Sequence, residues 1–335
     1  MSYPTFPKAS CLPARLLAVL VLSAASLGAQ PTSSSPDTPS SPALPGATVP
    51  NTITSPSTFT TPTTTSAEKD YAVEVMYEHD FNADLKDGAS GSMRSNEYEL
   101  YGNYSFHLTN QDRLIIGADY LYMNYEFDGG PAPFGNVQQI GATAWYTHDF
   151  NRQWGAFGYL YGGFAAETAG SLQDGDQGAL AFGPTVKVTP ELGLAFGPMY
   201  YSRLEDEGAW TLLVDMGWNF LPQWNLHVYT GIANGATVSY DLFNNQATVL
   251  DASLEYNSFW FRLRDGPGGA GQAVDERDWA LRFGVRQKLS DNFFVRGYVA
   301  AIFDREYHFH VNDSSAGSFK VDSTLGVGVE LGAAF

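Results

Sequence analysis

From residue 71 to its end the chain repeats one pattern, long runs in which apolar and polar side chains alternate. Tyr71, Val73, Val75, Tyr77, His79 and Phe81 alternate with Ala72, Glu74, Met76, Glu78 and Asp80. Tyr98, Leu100, Gly102, Tyr104 and Phe106 then alternate with Glu97, Glu99, Tyr101, Asn103 and Ser105. Trp210, Leu212, Val214, Met216 and Trp218 alternate with Thr211, Leu213, Asp215 and Gly217. A period of two places each set on one face of a β-strand. A soluble β-sandwich alternates too, but its strands run about five or six residues. Here they commonly run to twelve or more.

Two further features separate a closed membrane sheet from a sandwich. Connections alternate between short (109–112, 151–153, 189–190, 221–223, 290–292) and long (82–94, 128–135, 169–177, 265–276, 310–320). That is the asymmetry of an outer-membrane barrel, with tight turns on one side and longer loops on the other. Aromatics also collect at strand ends. Phe150 and Trp154 bracket one tight turn and Phe220 and Trp224 another, while Tyr98, Trp210, Trp260, Trp279 and Tyr307 sit toward the long loops. Two rows of amphipathic rings suit two membrane–water interfaces.

The segments before residue 70 read differently. Lys8 and Arg15 precede a short apolar run, 16–22, and then small residues up to Ala29. That order is a secretory signal peptide over 1–29, with cleavage expected after Ala29 or Ala25. Residues 30–69 are dominated by Ser, Thr and Pro, too poor in apolar side chains to offset the entropy of ordering, and are expected to form a disordered linker. The barrel is expected over 70–335. The lone cysteine, Cys11, lies in the expected signal peptide, which excludes a disulfide framework and a cysteine zinc site in the mature chain. With 18 Lys and Arg against 36 Asp and Glu, and a formal charge of −18, the chain lacks the basic surplus that phosphate backbones require, so nucleic acid is excluded as a partner.

The fold class expected is all-β, a transmembrane antiparallel up-and-down barrel. Strands are predicted near 71–81, 95–108, 113–127, 136–150, 154–168, 177–188, 192–204, 208–220, 224–233, 236–243, 247–264, 277–289, 293–309 and 321–335. Both chain ends of such a barrel face the same side, so the number should be even. Accepting Asn234-Gly235 as a hairpin turn gives fourteen strands; rejecting it gives twelve. The repeated Ala-Phe-Gly-Pro at 181–184 and 195–198 tests the register. Pairing about the turn at 189–190 sets Phe182 opposite Pro198 and Pro184 opposite Phe196, with a local break where proline cannot donate.

The C-terminus carries a resemblance. Leu325, Val327, Val329, Leu331, Ala333 and Phe335 fall at every second position and end on Phe, which resembles the targeting strand of the bacterial outer-membrane β-barrel superfamily. Residues 301–307 are similar to barrels of unknown function. The resemblance implies that Phe335 is read by the barrel assembly machinery, and that the mature chain meets outer-membrane lipid and lipopolysaccharide.

Alternation assigns the lumen. Glu74, Glu78, Glu97, Glu99, Asp119, Asp215, Asp304, Glu306 and Glu330 are expected to face in, with Arg282, Arg286 and Arg296 as their main counter-charges on strands near the closing seam. Inward glycines, among them Gly141, Gly217, Gly326, Gly328 and Gly332, leave room. Asp304, Glu306, His308 and His310 fall on one expected face. Alternate residues on a strand are about 7 Å apart, so a polar rim is expected there and no metal site. The acidic loop patches at 174–176 and 205–207 read as solvated. No Gly-x-Ser-x-Gly and no placed Ser–His pair is present, so neither a catalytic residue nor a cofactor is expected. The function expected is porin-like passage of small solutes or ions through an acidic lumen. The alternative is a structural or adhesive barrel with a closed lumen, acting through its loops or linker.

Overall fold

The computed structural model describes residues 71–335 apart from 88, 205, 232, 265–271 and 312–313. The expected signal peptide and linker lie outside the described residues, as do the side chains of the 205–207 patch. Tyr71 opens the first strand. In chain order the strands are β1 (Tyr71–Lys86), β2 (Ser92–His107), β3 (Asp112–Asp128), β4 (Val137–Asp149), β5 (Trp154–Glu167), β6 (Asp176–Thr189) and β7 (Leu192–Arg203). They continue with β8 (Asp206–Leu221), β9 (Trp224–Thr230), β10 (Asn234–Asp241), β11 (Thr248–Arg262), β12 (Gln272–Lys288), β13 (Phe293–Val311), β14 (Ser314–Val321) and β15 (Thr324–Ala334).

From β1 to β14 each strand pairs antiparallel with the next, and the sheet closes on itself through β15. β14 and β15 occupy one wall position, since both pair with β13 on one side and with β1 on the other. The wall therefore has fourteen positions, as expected from the sequence. Closure leaves no sheet edge around the base of the wall. Phe335 completes it there: its backbone exchanges hydrogen bonds with Tyr71 (2.9 and 3.2 Å). Its ring stacks on Tyr71 with centroids 4.8 Å apart and meets Phe293 edge-on at 5.6 Å.

Alternation is realised face by face. Val75, Leu100, Ile140, Leu160, Leu180, Leu212, Val299 and Leu331 are exposed on the outer surface. A continuous apolar band of this kind would be a liability in water and suits a hydrocarbon phase. Trp210, at 68% exposure, projects from it furthest among the large apolar side chains. The β6–β7 register follows the expected pairing. Leu180 faces Tyr200 and Thr185 faces Ala195, so Phe182 falls across from Pro198, and ladder pairing lapses between Ala181 and Thr185.

Three features differ from the sequence reading. The β9–β10 turn spans 231–233, so Asn234 and Gly235 already belong to β10. Gly231, at φ 145°, takes the backbone conformation that the Asn-Gly pair was expected to supply. The long connections are shorter than anticipated because pairing continues past the apolar runs: β1 extends to Lys86 and β2 starts at Ser92, while β13 and β14 absorb most of 310–320. Finally, a bulge interrupts β13. Asp304 has φ 54°, and the β12–β13 register shifts between Arg277 and Trp279. One added residue reverses facing beyond it: Ile302 faces in below the bulge, and Arg305 and Tyr307 face in above it. Asp304 is consequently exposed, and Glu306 pairs with Lys320 and His308 on the outer surface (3.9 and 3.2 Å).

The wall is uneven in height. β9 and β10 have seven and eight residues between neighbours of sixteen and fifteen. Above Tyr256, β11 leaves the wall line and reaches β5, where Arg262 pairs with Ala166. The crossing is held by Gln177 Nε2 donating to the Trp260 carbonyl (2.5 Å), Arg262 Nε to the Asp174 carbonyl (2.8 Å) and the Arg264 amide to Glu167 (2.8 Å).

Because Phe335 closes the seam with two rings and a reciprocal backbone pair, Phe335→Ala is expected to lower barrel stability by about 1 kcal/mol. It should also slow assembly. The heat-modifiable folded band on a cold gel checks this after refolding into vesicles, and a wild-type yield and unfolding midpoint would count against the seam role.

Candidate functional site

The lumen is the one region where the chain concentrates charge it has to bury. Among the described residues carboxylates are buried all along the inner wall, among them Glu78, Asp80, Glu97, Glu99, Asp119, Asp215, Asp251, Glu255, Glu276, Asp278 and Glu330. Four buried arginines face them: Arg282, Arg286, Arg296 and Arg305. Glu74 lies lower on β1 and is half-buried. Of the residues expected to line the lumen, Asp304 and Glu306 stand outside it, because the bulge turns them outward. The same bulge brings in Arg305, which alternation from the base of β13 had placed outside.

The arginines organise the acids into two linked networks. Arg282 Nη1 donates to Glu255 (2.6 Å) and its Nε to Glu78 (3.2 Å), while the Tyr298 hydroxyl donates to the same Glu78 oxygen (2.7 Å). Arg296 grips Asp251 in two-pronged fashion (2.6 and 3.1 Å) and reaches Glu330 at 3.4 Å. The Tyr298 ring lies between the two guanidinium groups, with Arg296 4.8 Å and Arg282 5.9 Å from its centroid. Nearer the loop end, Arg305 reaches Asp80 (2.8 Å), Asp278 (3.2 Å) and Glu276 (3.5 Å). Glu276 also accepts from the Tyr125 (2.6 Å) and Tyr307 (2.8 Å) hydroxyls. Charge-assisted and forked pairs of this kind are the strong members of the hydrogen-bond family.

The inward glycines do not leave an open bore. A Cβ on Gly328 would lie 2.2 Å from the Tyr298 ring, and one on Gly332 2.1 Å from the Phe294 ring. They make room for neighbouring rings to lie flat on the inner wall. A cavity of about 30 Å³ remains among Glu78, Glu97, Asn257, Asp278, Arg282 and Arg305, space for a few waters.

Above the Arg305 network the lumen is roofed by aromatics. Phe134, from the β3–β4 connection, is 4% exposed. It packs among Tyr125 (5.0 Å), Tyr307 (5.2 Å) and Phe261 (5.3 Å), which β3, β13 and the crossing part of β11 supply. Tyr307 and Trp260, read from the sequence as interface rings, are buried instead: Tyr307 lies in the roof, and Trp260 packs with Leu204 and Ala273. A second apolar patch lies on the opposite inner wall, where Trp145 stacks on Phe157 at 5.0 Å beside Tyr159 and Met199. Sequence reasoning missed Phe134. It lies outside the alternating runs, and only its position in a Pro-flanked, otherwise Gly-rich connection marked it.

Several carboxylate and phenol oxygens facing this interior lack a protein partner, including those of Glu97, Glu99, Tyr159 and Tyr161. Each such buried group costs about 1–3 kcal/mol unless water or a ligand completes it.

The closed antiparallel wall, its apolar outer band, the ionic interior and the terminal Phe335 together decide the architecture. The chain is a closed antiparallel β-barrel of fourteen wall positions. No family model matches it, and no curated protein does either. Solved structures do resemble it at low identity. An outer membrane channel from Pseudomonas putida F1 aligns with a TM-score of 0.47 and 10% identity, covering 81% of this chain and 97% of that one. A FadL homologue from Pseudomonas aeruginosa gives 0.44 and 10%, covering 80% and 91%. The translocator domain of the autotransporter NalP from Neisseria meningitidis gives 0.38 and 12%, covering 82% and 90%. These are likenesses of barrel to barrel, and the activities in those names belong to those proteins.

Replacing Arg296 by Met strands Asp251 as a buried charge, which is expected to cost about 3–5 kcal/mol. Adding Asp251→Leu should restore most of the loss, since an apolar pair of similar volume substitutes well for a buried ion pair. Urea unfolding from lipid vesicles measures both; equal stability of the single and double variants would remove the pair from its structural role.

Proposed function

We propose that this barrel resides in the bacterial outer membrane, exported by a signal peptide cleaved after Ala29, and that its acidic lumen passes small cations and polar solutes. The observation that carries the reading is the surplus of buried carboxylates on the inner wall over its four buried arginines. An ion-paired filler would need no such surplus, whereas rings of one sign set the selectivity of a pore. The aromatic roof around Phe134 holds the path closed, and passage requires that ring to leave its place. Hydrophobic constrictions gate in this way by excluding water. On this reading the chain is a transporter and not a catalyst, with lipid and lipopolysaccharide around it and the assembly machinery as its partner during insertion.

A closed structural barrel is the second reading, and the ion-pair networks of Arg282, Arg296 and Arg305 across the lumen favour it. The two separate in a planar bilayer. A passage predicts cation-selective conductance that rises severalfold on Phe134→Ala, because the truncated side chain no longer seals the mouth. Verified insertion with no conductance in wild type or in Phe134→Ala would leave the closed barrel standing.

A further inference from the structure

The inner wall across β2–β5 holds a group of buried oxygens that the arginine networks leave uncompleted. Glu99, 7% exposed, has one carboxylate oxygen without a partner, and so do the Gln139 side-chain carbonyl and the Tyr159 and Tyr161 hydroxyls, each on a residue 2% exposed. They gather around Asp119. Gln139 Nε2 donates to Asp119 at 2.9 Å, which leaves its carbonyl oxygen on the far side of the amide. Asp119 faces Gly141 across the β3–β4 ladder, and Gly141 in turn faces Gly163 of β5. A Cβ on Gly141 would lie 2.6 Å from Asp119 Oδ1 and 2.7 Å from the Tyr161 ring, and one on Gly163 would lie 2.3 Å from the Tyr161 hydroxyl. Two facing glycines therefore let a carboxylate and a phenol approach over one spot. Glu99 lies opposite Leu121, two residues along β3 from Asp119, on the same face.

All of these unmatched atoms are oxygens able to accept a hydrogen bond or coordinate a hard cation. One of them belongs to a carboxylate, Glu99, the others are neutral, Asp119 adds a second carboxylate beside them, and no arginine of the networks above is hydrogen-bonded to either Glu99 or Asp119 in the interactions described. No group of three or more His, Cys, Asp or Glu with metal-binding geometry occurs among the described residues. A carboxylate-rich divalent site is thereby disfavoured, and a singly charged guest suits two carboxylates with neutral oxygens around them. We infer that Glu99, Asp119, Gln139, Tyr159 and Tyr161 form a binding site for a monovalent cation, either an alkali ion or the ammonium head of a small amine. The tyrosine rings suit either guest, since aromatic faces attract both alkali and ammonium charge. The site deepens the reading of the lumen as a cation path and takes its ligand's sign from it. It is tested by binding and not by conductance, so a barrel that binds but does not conduct overturns the passage and leaves the site.

The test uses the detergent-folded chain and the intrinsic fluorescence of its tryptophans, because Trp145 lies 5.6 Å from the Tyr159 ring. Potassium, sodium and methylammonium chlorides are titrated separately at constant ionic strength, balanced with the bulky cation N-methylglucamine. A saturable change with at least one of the three is expected. An alkali response assigns an inorganic ion, and a response to methylammonium alone assigns an amine. Glu99→Gln with Asp119→Asn should abolish it, and Gly141→Ala should weaken it about tenfold or more by setting a methyl group where carboxylate and ring meet. Asp174→Asn, on an exposed residue far from the site, should leave it unchanged. Folded state is checked for each variant by heat-modifiable mobility. Absence of a saturable response to all three cations in folded wild type, or an unchanged response in the folded double variant, overturns the proposal.

Discussion

A backbone in hydrocarbon has no water to complete its hydrogen bonds, so a sheet that spans a membrane must close. Every other property of this chain depends on that requirement. Closure falls to β1 against β15 and then β14, whose register runs from Ala72 opposite Ala334 up to Lys86 opposite Lys320. With the ladder closed, the pleat sorts side chains without further instruction. Odd residues of β1 face outward, and even ones enter the lumen until a bulge between Asp80 and Ala83 alters the count. The outer band then needs only to be apolar. The inner wall needs more, since fourteen strands enclose a volume that must be filled, hydrated or ligand-bound.

The filling follows the seam. Acids lie on β1, β2, β11 and β15 and on the loop-side half of β12, and the arginines on β12 and β13, so the strands around the seam are those whose charges complement one another. Arg282 joins Glu78 to Glu255, residues 177 positions apart in sequence, and Arg305 joins Asp80 to Asp278. Such pairs are weak evidence for stability against an apolar filling, since desolvation offsets much of their attraction. They do discriminate between registers. A slip of one residue would turn a strand's inward charges onto the apolar outer face.

The wall was largely legible in the sequence because its period is two and its cost of error is large. The β6–β7 register followed from two copies of Ala-Phe-Gly-Pro; parity required an even count, and the hairpin read at Asn234-Gly235 chose fourteen over twelve, although its turn lies just before those residues. What escaped notice were events that alternation cannot encode. Asp304 gives no local sign that it will adopt a left-handed backbone, and from that one residue Glu306 is sent outward and Arg305 inward. The roof escaped for a related reason. Tyr307 reads as a strand-end aromatic whichever way it points, and Phe134 belongs to a connection where no period exists. Length was misjudged where pairing outlasts the apolar pattern, as in β14, whose Ser-Ser-Ala-Gly-Ser reads as loop but pairs with β13.

The residual charge is the part of the interior that the fold itself does not resolve. Arg282, Arg296 and Arg305 engage seven of the acids, namely Glu78, Glu255, Asp251, Glu330, Asp80, Asp278 and Glu276. Asp215 takes His227 at 3.1 Å. Glu97, Glu99 and Asp119 make no ion pair among the described residues: Glu97 borders the small cavity that Arg282 and Arg305 also line, while Glu99 and Asp119 lie farther along the wall. Three carboxylates in so dry a place are not all charged and bare, because the cost of burying an uncompensated charge exceeds what the packing around it can supply. Protons or mobile cations must complete them. The occupancy of the lumen is thus part of its packing, and a chain that could have filled this wall with leucine has instead left it dependent on what the solution provides.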